Sequence, residues 1–270
     1  MQDKIMKKCA NLAAQTDTRK DLTMTYGICN LSAIALRKEN RHGSEMVSQL
    51  LYNETYTILD STKEWLLVQT NDGTSTSSRT CFYQGWIQAK QFFEISEDEF
   101  NALKGKKTYL INKPIVEYKG KFLTLGTPVH EPHPDAVEIP SEFHPEQIGE
   151  NAKKLLGTPY LWGGRTAMGI DCSGLTQVCA RMAGLLLPRD ASQQVKEGEL
   201  VYFLQETQPG DLAFFGEEDG VITHVGIILG NEQIIHCSGQ VRIDYLDQTG
   251  IFNKERNEHT HHLQAIKRLG

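Results

Sequence analysis

An α+β fold with more than one domain is predicted by three features of the sequence. The first half carries short strand-like runs separated by turn residues, which is typical of small β-barrels. The second half carries apolar residues at helical spacing around 145–157 and 172–183. Two β-branched runs, 222–229 and 233–238, then flank Gly230-Asn231-Glu232, which is the pattern of a β-hairpin.

The chain of 270 residues divides into four predicted parts. Residues 1–23 form a polar N-terminal segment. Residues 24–100 form a first small barrel, and residues 101–140 form a second, reduced one. Within the first barrel, the Ser/Thr-rich stretch 74–80 is expected to be a loop. Residues 141–270 form the domain that carries the candidate chemistry. Strands of the first barrel are expected at 45–52, 56–59, 65–69 and 85–88.

Charge and composition disfavour several classes of partner. Lys and Arg number 28 against 34 acidic residues, a net charge of −6, and no arginine-rich run is present, so no nucleic-acid partner is expected. No apolar run is long enough to span a membrane. Six cysteines without regular spacing indicate reduced thiols. The N-terminus lacks an apolar signal core, which predicts a cytoplasmic protein. A periplasmic or secreted protein whose signal peptide has been removed is the alternative.

Cys172 is the candidate nucleophile, because a turn-rich approach delivers it to the start of a helical pattern. The positive end of a helix dipole favours the thiolate, which is the nucleophilic form of cysteine. Most free cysteines are buried and inert. The other five cysteines are interpreted in that way, and they are Cys9, Cys29, Cys81, Cys179 and Cys237.

His224 and His236, in the two runs of the predicted hairpin, are the candidate partners of Cys172. With a three-residue loop, Gly226 faces His236 and both imidazoles share one face of the sheet. A two-residue loop would put them on opposite faces. One histidine in an apolar strand is more often a core residue, but two of them downstream of such a cysteine favour catalysis.

A metal site is the other interpretation of these residues. Cys172, His224 and His236 could bind zinc, but the spacing of cysteine and histidine pairs in zinc sites is missing, so no metal and no cofactor is expected. His259, His261 and His262 resemble a metal cluster. They lie in a charged segment, which favours a solvated loop.

Five pieces of the second half, in their order and spacing, resemble the NlpC-type cysteine peptidases, a papain-like family of bacterial cell-wall hydrolases. The resemblance covers about 143–270. It implies that Cys172 is the nucleophile, His224 the base and His236 the group that orients His224, while Tyr160 and a backbone N–H hold the oxyanion. The pieces are Pro159-Tyr160-Leu161-Trp162-Gly163-Gly164, Asp171-Cys172-Ser173-Gly174-Leu175, Pro209-Gly210-Asp211-Leu212, His224-Val225-Gly226-Ile227 and Ile235-His236.

Pieces of the first half are similar to bacterial SH3-like domains, namely Gln49-Leu-Leu-Tyr-Asn-Glu54, Trp65-Leu-Leu-Val68 and Gly85-Trp86-Ile87. The resemblance therefore implies a papain-like NlpC catalytic domain preceded by two small SH3-like β-barrels. That arrangement is similar to a subgroup which cuts between γ-D-glutamate and a diamino acid in murein peptides and requires a free N-terminal L-alanine.

The subgroup also implies a set of substrate-binding residues. Glu45 and Tyr83 occupy positions that would hold the ammonium group of the substrate, and the matching stretch 189–194 adds Asp190 and Ser192. The alternatives are an exposed residue at a strand start for Glu45 and a core or edge aromatic for Tyr83. Asp171 and Ser173 complete the implied set, although Asp171 also fits the acidic N-cap of the helix that starts at Cys172. A monomer that acts on murein-derived peptides is expected.

Two other function classes stay open at this point. One is a non-catalytic protein that binds the cell wall, because SH3-like modules often bind peptides or wall polymers. The intact set of Cys172, His224 and His236 argues against it. The other is a cysteine amidase or acyltransferase that acts on a different amide, because a fold and a triad do not fix the substrate.

Overall fold

The computed structural model of the chain describes residues 24–71, 82–217 and 220–270. The predicted N-terminal segment 1–23, the loop 74–80, Cys9 and Cys81 lie outside these ranges. The chain divides into two compact units. The first comprises the described residues up to Tyr109 with Val116–Leu123 and Thr127–Pro134, and the second comprises Leu110–Ile115, Thr124–Gly126 and Asp135–Gly270. Within the described ranges, no helix is long and apolar enough to cross a membrane.

The first unit is a seven-stranded antiparallel sheet in the order β3-β2-β6-β5-β4-β1-β7, followed by helix α1 (Glu97–Lys104). Its apolar core includes Ile34, Leu36 and Tyr56, and alternate side chains of β2 and β5 enter it. The four strands predicted from the sequence are confirmed with shifts of one or two residues. The strands are β1 Tyr26–Ile28, β2 Ala33–Arg37, β3 Met46–Leu51, β4 Thr55–Ser61, β5 Trp65–Thr70, β6 Gln84–Gln88 and β7 Glu94–Ile95.

The stretch 101–140 is not a separate barrel in this structure. Strands β9 (Ile115–Tyr118) and β10 (Lys121–Thr124) form a hairpin. The other strands are two or three residues long, and the stretch contributes segments to both compact units. The prediction of a second, reduced SH3-like barrel is therefore not confirmed. The short strands are β8 Tyr109–Ile111, β11 Pro128–Val129 and β12 Ala136–Glu138.

The second unit contains three helices and a closed barrel. Six antiparallel strands, β16 to β21, pair in succession, and β21 also pairs with β16, so the barrel has no open seam. The helices are α2 Glu146–Lys153, α3 Cys172–Met182 and α4 Ala191–Gln194. The strands are β13 Arg165–Thr166, β14 Gly169–Ile170, β15 Glu199–Val201, β16 Leu212–Gly216, β17 Ile222–Gly230, β18 Gln233–Ser238, β19 Gln240–Leu246, β20 Gly250–Asn253 and β21 Glu258–Arg268.

Helix α3 packs against the outside of the barrel. Leu175, Val178 and Cys179 of the helix share an apolar core with Val225 and Ile235 of the strands. Cys179 and Cys237 are fully buried there, as the sequence predicts for apolar core residues. The alternate residues of the same strands point into the barrel, where a second apolar cluster includes Phe215, Ile228, Ile234, Leu246 and Ile251.

Candidate active site

Cys172 is the first residue of helix α3, as predicted, and Asp171 is the N-cap. The Oδ1 atom of Asp171 accepts a hydrogen bond from the N–H of Gly174 at 2.6 Å, and its Oδ2 atom accepts one from the N–H of Gly163 at 2.8 Å. The Asp171 carboxylate therefore ties the start of the helix to the turn that precedes it, which is the capping role expected for this residue. Gly174 allows the close approach, because a Cβ there would lie 2.2 Å from the Gly164 carbonyl oxygen.

A buried ion pair fixes the same helix start. Arg189 donates to both carboxylate oxygens of Asp171, at 3.0 and 2.6 Å, and its Nη1 also donates to the Ser173 hydroxyl at 2.8 Å. All three side chains are buried. The contacts of Asp171 and Ser173 within the protein account for their burial, and their binding of substrate stays a prediction.

The resting state of Cys172 differs from the sequence prediction of a thiolate. Burial raises the pKa of the Cys172 thiol to about 11, and the negative charge of Asp171 acts in the same direction. Backbone N–H groups of Val225 and Ser173 hydrogen-bond to the thiol and oppose the shift. The helix dipole is a local effect, whereas desolvation depends on the whole fold, and here desolvation is the larger effect. Cys172 is therefore a thiol at neutral pH.

The β17–β18 hairpin places His224 and His236 on one face, although its turn has the two residues that, without a bulge, would put them on opposite faces. Asn231 and Glu232 form the turn, both with positive φ, at 51° and 58°. Gly230 pairs with Gln233, and Leu229 forms a bulge between this pair and Ile228–Ile234. The bulge adds the residue that the shorter turn lacks. Gly226 therefore faces His236, as predicted.

The two imidazoles are joined directly. Nε2 of His224 lies 2.9 Å from Nδ1 of His236, and Nε2 of His236 lies 3.0 Å from Oδ2 of Asp244. All three side chains are buried. Burial lowers the pKa of His224 well below its usual value, and the neighbouring His236 and His261 act in the same direction. His224 is therefore a neutral imidazole next to the strand backbone that contacts the Cys172 thiol through Val225.

His261 corrects a prediction from the sequence. It lies in strand β21 and not in a solvated loop, and its ring stacks on His224 with centroids 4.2 Å apart and an interplanar angle of 28°. Burial lowers the pKa of His261 to about 4, and His236 acts in the same direction. His259 is also in β21 and bonds Asp247 at 2.8 Å. Nitrogen atoms of His224, His236 and His261 lie within 4.8 Å of one another, and the expectation of no metal stays a prediction.

Tyr160 lies close enough to Cys172 for the two side chains to interact electrostatically, and its oxyanion role stays a prediction. Burial raises the pKa of its phenol, and the next largest contribution comes from Cys172. The Tyr160 N–H donates to the Gly239 carbonyl at 2.9 Å, which fixes this loop to the end of strand β18. Asp190 and Ser192 lie at the start of helix α4, where Asp190 is half-buried and Ser192 is exposed.

Glu45 and Tyr83 belong to the first unit. Glu45 is exposed and its carboxylate lies 3.4 Å from the ammonium group of Lys38. Tyr83 is half-buried against the apolar core, and its N–H donates to the Thr70 hydroxyl at 3.1 Å. Their predicted role in holding the substrate stays a prediction.

Asp244 and Arg242 of strand β19 are the site residues that the sequence analysis missed. Arg242 is the cross-strand neighbour of His236, and Asp244 lies two residues further along, so both point to the same side as the imidazole. The signal was present in the sequence, because Gly239, which has a positive φ of 71°, separates β18 from the alternation of a third strand.

Comparison with known families assigns both halves of the chain. Residues 157–260 match the model of the NlpC/P60 family, and residues 32–92 match that of the bacterial SH3 domain. The first range contains Cys172, His224, His236 and Asp244, and the second contains Glu45 and Tyr83.

Two similar curated proteins carry the same name, gamma-D-glutamyl-L-lysine dipeptidyl-peptidase. The protein from Bacillus cereus is 24% identical over 72% of this chain and 68% of its own length. The protein from Bacillus subtilis is 41% identical over 34% of this chain, and the match spans only 31% of its own length.

Solved structures support the fold. An NlpC/P60 family protein from Bacillus cereus has a TM-score of 0.71 at 21% identity and covers 90% of this chain and 99% of its own. An NlpC/P60 endopeptidase from Photobacterium damselae subsp. piscicida has a TM-score of 0.64 at 16% identity, over 96% of this chain and 74% of its own. These likenesses show that the chain has a papain-like NlpC/P60 domain together with an SH3-like domain.

Proposed function

Because the chain carries an NlpC/P60 domain, the domain of a peptidase family, together with a bacterial SH3 domain, we propose that it is a cysteine peptidase that acts on murein peptides. The bond it hydrolyses joins γ-D-glutamate to a diamino acid, in peptides with a free N-terminal L-alanine, and the product is L-Ala-γ-D-Glu. The names of two similar proteins, gamma-D-glutamyl-L-lysine dipeptidyl-peptidases, support this choice of substrate.

The observation that carries the proposal is the placement of the thiol. Cys172 begins helix α3, and its sulfur accepts a hydrogen bond from the N–H of Val225, the residue that follows His224. His224 is in turn hydrogen-bonded to His236. The thiol thus contacts the residue next to the proposed base, and that base is bonded to the group that would orient it, an arrangement suited to nucleophilic attack on an amide.

The reaction begins with a proton transfer. His224, a neutral imidazole at rest, takes the proton of Cys172, and the thiolate attacks the γ-amide carbonyl of D-glutamate. Tyr160 and a backbone N–H near Cys172 hold the oxyanion, and one such donor contributes about 2.7–4 kcal/mol to transition-state stabilisation. The imidazolium of His224 protonates the leaving amine. Water, activated by His224, then hydrolyses the thioester and regenerates the thiol.

Selectivity for a free amine is assigned to Glu45, with the Tyr83 hydroxyl as its partner. A carboxylate that loses its ammonium partner in a closed complex costs about 2–5 kcal/mol, so a peptide with a blocked amine is rejected. Asp190 and Ser192 are assigned to the peptide backbone of the substrate, with Asp171 and Ser173 at the helix start.

The test is mass spectrometry of the products from L-Ala-γ-D-Glu-meso-diaminopimelate and from its N-acetylated form. We expect release of L-Ala-γ-D-Glu from the free peptide alone, and a loss of at least about 1,000-fold in kcat in Cys172→Ala. Turnover retained by Cys172→Ala would overturn the cysteine mechanism. Equal cleavage of both peptides would remove the amine requirement.

A matched pair of variants tests the amine requirement further. Glu45→Gln should lower kcat/KM for the free peptide by about 30-fold or more, which corresponds to about 2 kcal/mol. Glu39→Gln removes an exposed carboxylate of the same unit, paired with Arg41 at 2.6 Å, and should leave kcat/KM unchanged. Equal effects of the two changes would exclude a specific role for Glu45.

A further inference from the structure

Asp244 ends a line of hydrogen bonds that begins at His224. We propose that Asp244 is a positioning residue that leaves Nδ1 of His224 without a proton, so that this nitrogen acts as the base for Cys172. The inference rests on the proposed function for the identity of the base, but its test reads the protonation pattern directly. The pattern follows from three steps, each set by what the next group in the line can accept or donate.

The first step is the charge of Asp244. Arg242 donates to both of its carboxylate oxygens, from Nε at 2.6 Å and from Nη2 at 3.0 Å. Burial acts to raise the pKa of Asp244, but the hydrogen bonds from His236 and Arg242 outweigh it and hold the pKa below its usual value. Asp244 is therefore ionised at neutral pH, and an ionised carboxylate can only accept hydrogen bonds.

The second step is the tautomer of His236. Its Nε2 lies 3.0 Å from Oδ2 of Asp244 and must carry the proton of that hydrogen bond. A neutral imidazole has one N–H, so Nδ1 of His236 is an acceptor. The pairing of strands β18 and β19 holds the His236 ring in this orientation, because His236 lies directly opposite Arg242.

The third step is the tautomer of His224. Its Nε2 lies 2.9 Å from the acceptor Nδ1 of His236, so Nε2 carries the single proton of the neutral ring. The remaining nitrogen, Nδ1, has a free lone pair. When it takes the proton of Cys172, the positive charge that forms on His224 is stabilised through His236 by the negative charge of Asp244.

The other charged and titratable groups around this line do not compete for the proton positions. Glu255 accepts from Nη1 and Nη2 of Arg242 at 3.3 Å each, and its side chain is largely exposed. His261 faces His224 ring to ring, with centroids 4.2 Å apart. A stacked ring does not lie along the in-plane lone pairs and N–H bonds of an imidazole, so His261 leaves the hydrogen-bonding order unchanged.

Asp244→Asn in an Arg242→Met background is the informative variant. The Asp244 oxygen that faces His236 also accepts from Nε of Arg242 at 2.6 Å, and without that donor the amide can present its NH2 group to His236. An NH2 donor at that point turns Nε2 of His236 into an acceptor and Nδ1 into a donor, and the order then reverses in His224. The proton moves to Nδ1 of His224, where it blocks the base. We expect kcat/KM to fall by at least about 100-fold relative to the Arg242→Met protein, in line with the larger loss known for a base held in the wrong tautomer.

Asp247→Asn is the matched control. Asp247 also accepts from a histidine, His259, at 2.8 Å, but it has no link to His224. Made in the same Arg242→Met background, this variant should keep kcat/KM within about threefold of the Arg242→Met protein.

The decisive readout is the nitrogen NMR spectrum of the full chain labelled in its histidines. In the wild type we expect the proton of His224 on Nε2, and in Asp244→Asn in the Arg242→Met background on Nδ1. A wild-type spectrum with the proton on Nδ1 would overturn the proposal even if the variant does not fold. The proposal also fails if Asp244→Asn in that background keeps the wild-type pattern, or if both Asn variants lose activity equally.

The pH profile of Cys172 alkylation by iodoacetamide separates this inference from the proposed substrate. It needs no peptide, and in the Arg242→Met background we expect the rate at neutral pH to fall in Asp244→Asn but not in Asp247→Asn. If the murein peptide is not cleaved while this difference is present, the substrate is wrong and the role of Asp244 stands. An alkylation rate that is the same in both variants would count against Asp244.

Discussion

The two units of the chain fill their β-structure in different ways. In the first unit the sheet encloses apolar side chains, and the buried Glu54 bonds the N–H of Leu51 at 2.8 Å, so its charge serves a local turn. In the second unit the barrel contains apolar residues at one level and a line of His224, His236 and Asp244 at another. Both units bury polar groups, and in the second unit buried side chains from three strands bond one another in a line.

The difference shows where the fold bears the free-energy cost of burying polar groups. Burying a polar group is unfavourable unless every hydrogen bond is satisfied, and a carboxylate that bonds a backbone N–H achieves this alone. A histidine next to a histidine needs a third group to define its protons. The inward positions of the barrel that break the apolar alternation are therefore the positions of the proposed chemistry.

The largest expected effect comes from the polar network beside Cys172. Asp171→Ala should lower the free energy of unfolding of the second unit by about 3–5 kcal/mol, because Arg189 is left buried without its carboxylate. Urea unfolding measures the change. The control is Glu150→Ala, which removes an exposed pair with Lys153 and should cost about 0.5 kcal/mol or less. Similar losses of unfolding free energy in both variants would show that burial does not make the Asp171–Arg189 pair more important for stability than the exposed pair.

A smaller effect is expected from Gly226→Ala inside the barrel. A Cβ at this position would lie 2.7 Å from Cδ1 of Ile234 and 3.0 Å from Cβ of His236. We expect overpacking to cost about 1–3 kcal/mol of unfolding free energy and to lower kcat, because His236 must move.

Gly105→Ala is the control for this change, because no heavy atom lies within 4 Å of a Cβ at that position in the first unit. It should leave both quantities near their wild-type values. A Gly226→Ala protein with unchanged kcat would show that the fit around His236 is loose.

The smallest effect is the pH dependence of stability. The pKa of His261 is lowered to about 4 and that of His224 is also lowered, so the unfolded chain binds their protons first as the pH falls. The free energy of unfolding of the second unit should therefore decrease as the pH falls from about 6.5 to 4. It should level off below the pKa values of the folded state. Hydrogen exchange at several pH values measures this. His261→Phe keeps an aromatic ring on His224 and should reduce the loss, and an unchanged pH dependence would contradict the assignment.

The parts of the site that could be predicted are those with a local signal. Cys172 at a helix start and the pair His224 and His236 follow from turn residues and alternation, and the hydrogen bond between the two histidines agrees with that prediction. His261 was assigned wrongly because β21 pairs with both β16 and β20, and that closure joins segments far apart in sequence. The thiol form of Cys172 was missed for a similar reason, since its desolvation comes from the whole fold.

The bulge at Leu229 gives strand β17 one residue more than its pairing with β18 needs. Residues that are paired across an antiparallel ladder face the same side, so His224 and His236 share a face as long as Gly226 stays opposite His236. Removing Leu229 would leave Gly230 opposite Gln233 and Ile228 opposite Ile234, so a regular two-residue hairpin would still keep His224 and His236 on one face. Deletion of Leu229 should therefore be tolerated, whereas a slip of the β17–β18 pairing by one residue would put His236 on the opposite face from His224.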